Sequence, residues 1–139
     1  MAAVEISTDV NRLDVDFIHA SLTATYWARG RSRATVERTI EHSLCFGAYA
    51  GGRQVGFARV VSDHAVFAYL MDVFVDPEYR RQGIGKALMT AILAHPELQG
   101  LKLFLLRTRD AGALYARFGF EEVQPDSITF MARRGTTTT

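Results

Sequence analysis

Residues 73–86 read Val73-Phe74-Val75-Asp76-Pro77-Glu78-Tyr79-Arg80-Arg81-Gln82-Gly83-Ile84-Gly85-Lys86. The stretch begins with an apolar strand pattern, and its two glycines open an amphipathic helix. Glycine lets the backbone turn tightly and come close to a ligand, and the first amides of a helix have no intrahelical acceptor. With basic Arg80, Arg81 and Lys86 beside those amides, the pattern predicts a cradle for an anionic group.

Two familiar phosphate motifs are excluded at this cradle. A Walker A loop requires glycine where Arg80 stands and serine or threonine where Ala87 stands. The third small residue of a dinucleotide fingerprint would fall on Leu88, which is too bulky for close packing of helix and strand. A Gly-x-Gly turn alone is a weak signal, so the cradle predicts a phosphate ligand that is held in another way.

Length and composition predict one domain over residues 1–134, followed by a frayed tail at 135–139. The chain has 139 residues, is 48% hydrophobic and 22% charged, and carries a formal net charge of +1. That balance predicts no nucleic-acid partner, because duplex binding requires a basic face. The first residues lack the apolar core of a signal peptide, and no run of about 18 apolar residues occurs. We therefore expect a cytoplasmic protein with no membrane partner.

Cysteine and histidine content predicts no metal and no disulfide. Cys45 is the single cysteine and lies between apolar neighbours, so we expect it in the core. The four histidines are scattered without the spacing of metal ligands.

The first half of the chain predicts a strand, two helices and an antiparallel meander. Asp14 is typical of a helix cap, and the first helix is expected to run to about Thr23. Val36, Ile40, Ser43 and Leu44 predict one face of a second helix. The predicted strands are Val4 to Ser7, Cys45 to Ala50, Gln54 to Ser62 and Phe67 to Val75.

The second half predicts a helical crossover. A buried stripe of Ile84, Ala87, Leu88, Ala91 and Ile92 indicates a helix that Pro96 ends. Leu101 to Leu106 predicts a strand that is covered on both faces and parallel to the preceding one. A short helix capped by Asp110 and ended by Gly119 follows, and then two short strand candidates near Phe120 to Val123 and Ile128 to Ala132. The fold class is α+β (mixed α/β), with a mostly antiparallel central sheet flanked by helices.

A second motif lies downstream of the cradle and reads Leu114-Tyr115-Ala116-Arg117-Phe118-Gly119-Phe120. With residues 73–85 and the order of elements, it resembles the GNAT superfamily of N-acetyltransferases over essentially the whole chain. The resemblance implies acetyl-CoA as the cofactor. By position, Val73, Phe74 and Val75 would contact its pantetheine arm through their backbone, and the remaining cofactor contacts would come from Arg80, Arg81, Gln82, Gly83, Ile84, Gly85, Lys86 and Tyr115.

Tyr115 matches the family's general acid, which returns a proton to the departing thiolate. A phenol of ordinary pKa, about 10, stays protonated beside a thiol of about 8.5 and can donate. Without the motif, Tyr115 would be interpreted as the polar-tipped member of an apolar helix face. Two positions depart from the family pattern: Thr108 stands where many relatives carry Asn, and Leu103 stands where some protein-acetylating relatives carry a Glu base.

Four residues on the meander are candidates for handling the amine. Asp72 is the first choice, because a carboxylate among apolar neighbours is costly to bury without a partner. Arg59, Tyr69 and Asp63 are the others. Arg59 could equally pair with Asp72 and make it structural. Tyr26 and Trp27 are either core lids or walls of a substrate pocket.

The leading functional hypothesis is direct transfer of acetyl from acetyl-CoA to the primary amine of a small molecule. The alternatives are a protein N-acetyltransferase and a non-catalytic acyl-CoA-binding or regulatory module. A homodimer is possible on the resemblance alone.

Overall fold

In the described part of the chain, five strands build one sheet and four α-helices pack on it. In this computed structural model, which describes residues 3–123 and 129–135, the strands lie in the spatial order β1 (Val4–Ser7), β2 (Leu44–Ala50), β3 (Arg53–Ser62), β4 (Phe67–Val75) and β5 (Leu103–Leu106). The helices are α1 (Val15–Thr23), α2 (Arg33–Glu41), α3 (Ile84–Ala94) and α4 (Gly112–Ala116). Neighbouring strands are antiparallel except β4 and β5, which are parallel and joined through α3. The predicted fold class is confirmed.

The two faces of the sheet carry separate cores. On one face α3 buries Ile84, Leu88, Met89 and Ile92 against the strands. Gly56 permits that approach, because a Cβ there would lie 3.2 Å from the Ile84 Cγ2 atom. On the other face α1 and α2 bury Ile18, Leu22, Val36 and Ile40 against Phe57 and Phe74.

Short polar contacts set the helix ends. The Asp14 side chain accepts a hydrogen bond from the Phe17 amide at 3.0 Å and caps α1, as predicted. After α4, Gly119 has a φ of 90°, and the Phe120 amide donates to the Tyr115 carbonyl at 3.3 Å. This is the predicted Schellman ending. No described helix has the length and apolarity that crossing a membrane requires.

Three predicted boundaries were wrong. The second helix ends at Glu41, and Leu44 begins β2, because the strand pairing of Leu44 with Val60 overrides the helical pattern. β5 begins at Leu103, which is 51% exposed, so this strand is not covered on both faces. Asp110 does not cap α4; Thr108 accepts the Ala111 amide there at 3.0 Å.

The two closing strands are absent from the described residues. Residues 120–123 and 129–132 form no strand, and Phe130 and Met131 are 72% and 84% exposed. Ile128 and the tail at 136–139 lie outside the described residues. The apolar pattern alone was therefore not sufficient evidence of strand pairing there.

A bulge in β4 changes which of its residues face α3. Phe57 and Arg59 are two residues apart on β3, but their partners Phe74 and Met71 are three apart on β4. Asp72 is in the bulge and has a φ of 55°. Ala68 and Leu70 pack in the core beside α3 before the bulge, and Val73 and Val75 pack there after it.

Candidate active site

The site begins where β4 and β5 separate. The two strands pair from Phe67 with Leu103 to Leu70 with Leu106. Beyond Leu70, residues 71–75 keep β3 as a partner on one edge, and no described strand pairs with the other edge. That edge leaves backbone donors and acceptors available to an extended ligand.

A pocket of about 630 Å³ occupies the separation. Met71, Asp72 and Val73 line it from β4, and Tyr115 lines it from α4. The connection between α1 and α2 adds Tyr26 and Trp27, and the segment after β5 adds residues 107–111. This volume lies in the range of small-molecule sites.

Asp72 lies at the centre of a buried polar cluster. Its carboxylate is 1% exposed and accepts from Arg59 Nε at 2.8 Å, from Arg31 at 2.8 Å and from Trp27 Nε1 at 3.1 Å. Arg59 also donates to Ser43 Oγ at 3.0 Å. Two guanidinium groups on one carboxylate leave the cluster with a net positive charge.

Tyr115 is the buried phenol of the pocket, with 8% of its surface exposed. Its ring packs edge-on against Phe120 at 6.2 Å. Burial raises the pKa of Tyr115, and the negative charge of Asp110 raises it further. Tyr115 also lines the pocket, where its hydroxyl makes no side-chain hydrogen bond to another described residue.

The residues of the predicted anion cradle lie at the start of α3. Gly83 stands at the N-cap with a φ of 81° and provides no side-chain cap to the first amides of the helix. The position that a Cβ would take at Gly83 has no atom within 4 Å, so a ligand can approach closely. Arg81 also has a positive φ, 64°.

Basic side chains surround the cradle. Arg80, Arg81 and Lys86 are exposed, and Arg80 Nε donates to the Val75 carbonyl at 3.3 Å, which joins the cradle to the end of β4. Gln82 and Gly85 are partly buried, and Ile84 is in the core. The open edge of β4, the bare amides and the basic side chains fit a ligand with an extended arm and a pyrophosphate.

Other sequence candidates lie in different places. Tyr69 lines the pocket, and Arg59 is the ion-pair partner of Asp72. The expectation that Asp63 faces the cleft was wrong, because its carboxylate accepts the amides of Ala65, Val66 and Phe67 in the exposed turn before β4. Those amides, Val66 first, lower the pKa of Asp63.

Cys45 is buried, as expected, and its thiol is not activated. Burial raises the pKa of Cys45 to about 12.

Sequence reasoning missed two arginines of the site. Arg31 reaches Asp72 from the α1–α2 connection, and Arg109 stacks on the Tyr26 ring with its guanidinium carbon 3.6 Å from the ring centroid. Arg31 carried no local signal, since its partner lies 41 residues away. Arg109 did carry a local signal, because it follows the carboxyl end of a strand, where ligand sites in such sheets are common.

Comparison with known proteins identifies the family. Residues 41–122 match the family described as Acetyltransferase (GNAT) domain. A crystal structure from Xanthomonas campestris, of a protein assigned to the GNAT acetyltransferases, is 52% identical with a TM-score of 0.91 and covers 100% of this chain and 99% of that one.

Two curated relatives are similar over part of their length. A Gibberella zeae protein assigned to the acetyltransferases is 28% identical over 135 residues, 81% of this chain and 75% of that one. The Escherichia coli [ribosomal protein bS18]-alanine N-acetyltransferase is 35% identical over 88 residues, 59% of this chain. The match spans 57% of that enzyme and 30–34% of three plant relatives. By its family match and its fold, this chain belongs to the GNAT family of acetyltransferases.

Proposed function

We propose that this chain transfers an acetyl group from acetyl-CoA directly to a primary amine of a small molecule. The observation that carries the proposal is the open edge of β4 at residues 71–75, with the cradle at one end and a pocket containing Tyr115 beside it. An extended cofactor arm fits that edge, and its pyrophosphate fits the amides at Gly83.

The chemistry follows from groups on this chain. Bound acetyl-CoA supplies the acetyl group as a thioester. Backbone amides on the edge of β4 can donate to the carbonyl oxygen and stabilise the negative charge that develops there during attack by the amine. The Tyr115 hydroxyl donates a proton to the leaving sulfur, which its raised pKa favours because the phenol stays protonated.

We propose that Asp72 holds neighbouring groups of the pocket in position and does not accept a proton. Its oxygens already accept from Arg31, Arg59 and Trp27, and its side chain is 1% exposed. Accepting the amine proton would leave the buried guanidinium of Arg59 and the partly buried one of Arg31 without their counter-ion. Its carboxylate instead holds Trp27 and the bulge of β4 in place beside the pocket.

Direct transfer is favoured over a relay through cysteine. A thiol with a pKa of about 12 is almost entirely protonated at neutral pH and is a poor nucleophile. Cys45 also packs with Ile18 and Phe57 beside α1 and α2, and it does not line the pocket.

Acetylation of a protein N-terminus is the second candidate, because the Escherichia coli relative carries that activity in its name. Leu103 at the position of the Glu base found in some such enzymes favours a small acceptor instead. A peptide that begins with alanine belongs in the acceptor panel for this reason.

The test is release of free thiol from acetyl-CoA in the presence of a panel of small amines, with the acetylated amine identified by mass spectrometry. We expect Tyr115→Phe to lower kcat by about 100-fold, the scale of one general acid, with little change in acetyl-CoA affinity. Ala113→Ser, an exposed change on the same helix, is the matched control. Unchanged turnover in Tyr115→Phe would remove Tyr115 as the acid. No acetylated product from any amine would contradict the proposed function.

A further inference from the structure

We infer that the acceptor is a small amine that also carries an anionic group, a carboxylate or a phosphate, and that Arg109 binds this group. The inference rests on the proposed acetyl transfer and names the class of its acceptor.

The position of Arg109 places it on the acceptor side of the pocket. Its guanidinium lies on Tyr26, which belongs to the connection between α1 and α2. Those helices cover one face of the sheet, while the cradle begins α3 on the other face. Arg109 therefore lies beside the connection between α1 and α2, whereas the site proposed for the cofactor pyrophosphate lies at the start of α3.

The charges that line the pocket favour an anion. Arg107, Arg109 and Arg134 line it together with the carboxylates of Asp72 and Asp110. Asp72 is more than neutralised by the two arginines behind it. The pocket thus carries a positive field, which attracts an acceptor with a carboxylate or phosphate and disfavours one with a second ammonium group.

Within the described residues, stacking on Tyr26 leaves the N–H groups of Arg109 without an acceptor from the protein. A guanidinium that stacks on an aromatic ring makes the contact through its own flat face. Its N–H groups therefore still point outward in the plane of the guanidinium. Across residues 3–123 and 129–135, Arg109 makes neither an ion pair nor a hydrogen bond. A planar fork that is held in place in this way suits bidentate binding of a carboxylate or phosphate.

The aromatic wall favours a flat body between the amine and the anion. Tyr26 and Trp27 are 47% and 43% exposed and meet edge-on at 5.2 Å. Trp27 is further fixed by its bond to Asp72. Exposed aromatic rings beside a pocket provide flat apolar contacts to a ligand.

The experiment uses Trp27, the single tryptophan, as a fluorescence probe of acceptor binding that needs no turnover. The probes are para-(aminomethyl)benzoate and para-(aminomethyl)benzamide, which share their shape and amine and differ in the charge of the far group. A third probe, para-(aminomethyl)phenyl phosphate, tests the phosphate arm. We expect the benzoate or the phosphate to bind about tenfold or more tightly than the benzamide.

In Arg109→Gln, the dissociation constant of the benzamide divided by that of the anionic probe should fall close to one. Arg109→Lys should retain part of the preference for the anionic probe. Arg117→Gln is the matched control, because Arg117 is exposed just after α4 and does not line the pocket. If Arg109→Gln still binds the anionic probe about tenfold more tightly than the benzamide, Arg109 is not the residue that binds the anion.

Equal binding of benzoate, phosphate and benzamide, or binding of none of them, overturns the inference. Its failure is distinct from failure of the proposed function. Selective binding without any acetylated product would contradict acetyl transfer alone, and acetylation without selective binding would contradict the anionic acceptor alone.

Discussion

At the scale of single residues, the environment of Tyr115 suits the role of general acid that we propose for it. Burial in the pocket disfavours the tyrosinate, and the nearby carboxylate of Asp110 disfavours it further. Both effects raise the pKa above its ordinary value of about 10. The phenol therefore holds its proton throughout the neutral range, as a general acid must.

The pH dependence of kcat tests this electrostatic arrangement. Turnover that depends on protonated Tyr115 should persist above neutral pH and fall only when the pH passes the raised pKa. Asp110→Asn removes one cause of the rise, so the pKa should fall and the alkaline limb of kcat should move to lower pH. Kinetics at saturating substrate, from neutral pH to about pH 11, measure it. A limb that stays in place, or that moves to higher pH, would contradict the role of Asp110.

Residue chemistry was predictable where it is local and not where it is long-range. The Asp14 cap, the left-handed turn at Gly83 and the Schellman ending at Gly119 each depend on neighbours within a few residues. The ion pair of Arg31 with Asp72 joins residues 41 positions apart, so no local pattern indicates it. Asp72 itself could be suspected from its cost of burial, but its partners could not all be named.

At the scale of elements, the bulge of β4 determines the site. One extra residue at Asp72 lets Leu70 and Val73 both pack on the side of α3, while Phe74 packs on the side of α1. The same residue sends its carboxylate towards Trp27, Arg31 and Arg59. Asp72 therefore has two roles. Its backbone, with a φ of 55°, forms the bulge, and its carboxylate is the counter-ion of the two arginines.

Stability measurements on Asp72 can separate those two roles. Asp72→Ala removes the counter-ion of buried Arg59 and of partly buried Arg31 and should lower the free energy of unfolding by about 3–5 kcal/mol. Asp72→Asn should cost less, because asparagine tolerates the left-handed conformation and its oxygen still accepts a hydrogen bond. Urea unfolding of both variants measures the difference. Equal, small losses in both would show that the ion pairs contribute little.

Hydrophobic periodicity predicted where the helices and strands lie better than it predicted how exposed their residues are. β4 and the parallel crossover through α3 were predicted because each has a long pattern bounded by glycine or proline. The apolar run at Leu101 to Leu106 indicated a fully covered strand, yet Leu103 is half exposed. A short apolar run does not specify how many neighbours a strand has.

At the scale of the whole molecule, the two faces of the sheet carry the two parts of the proposed site. α3 and its cradle lie on one face, and α1, α2 and the aromatic wall lie on the other. The gap after Leu70 is the place where the two sides meet. The resemblance in residues 73–85 covers the cradle side, whereas the acceptor side that we propose depends on Tyr26, Trp27 and Arg109, which lie outside the two quoted motifs.

Backbone hydrogen exchange with and without coenzyme A tests the central claim most directly. Among residues 3–123 and 129–135, no strand pairs with the open edge of β4 and no side chain caps the first amides of α3, so a ligand that binds them should slow their exchange. We predict slower exchange at residues 71–75 and 83–86, and no change in β1 at Val4–Ser7. Gly83→Val should weaken the effect, because a β-branched residue is strained at a φ of 81°, and Gly83→Asn should retain more of it. Exchange that coenzyme A leaves unchanged in both segments, or slows only elsewhere, would contradict a cofactor site between β4 and α3.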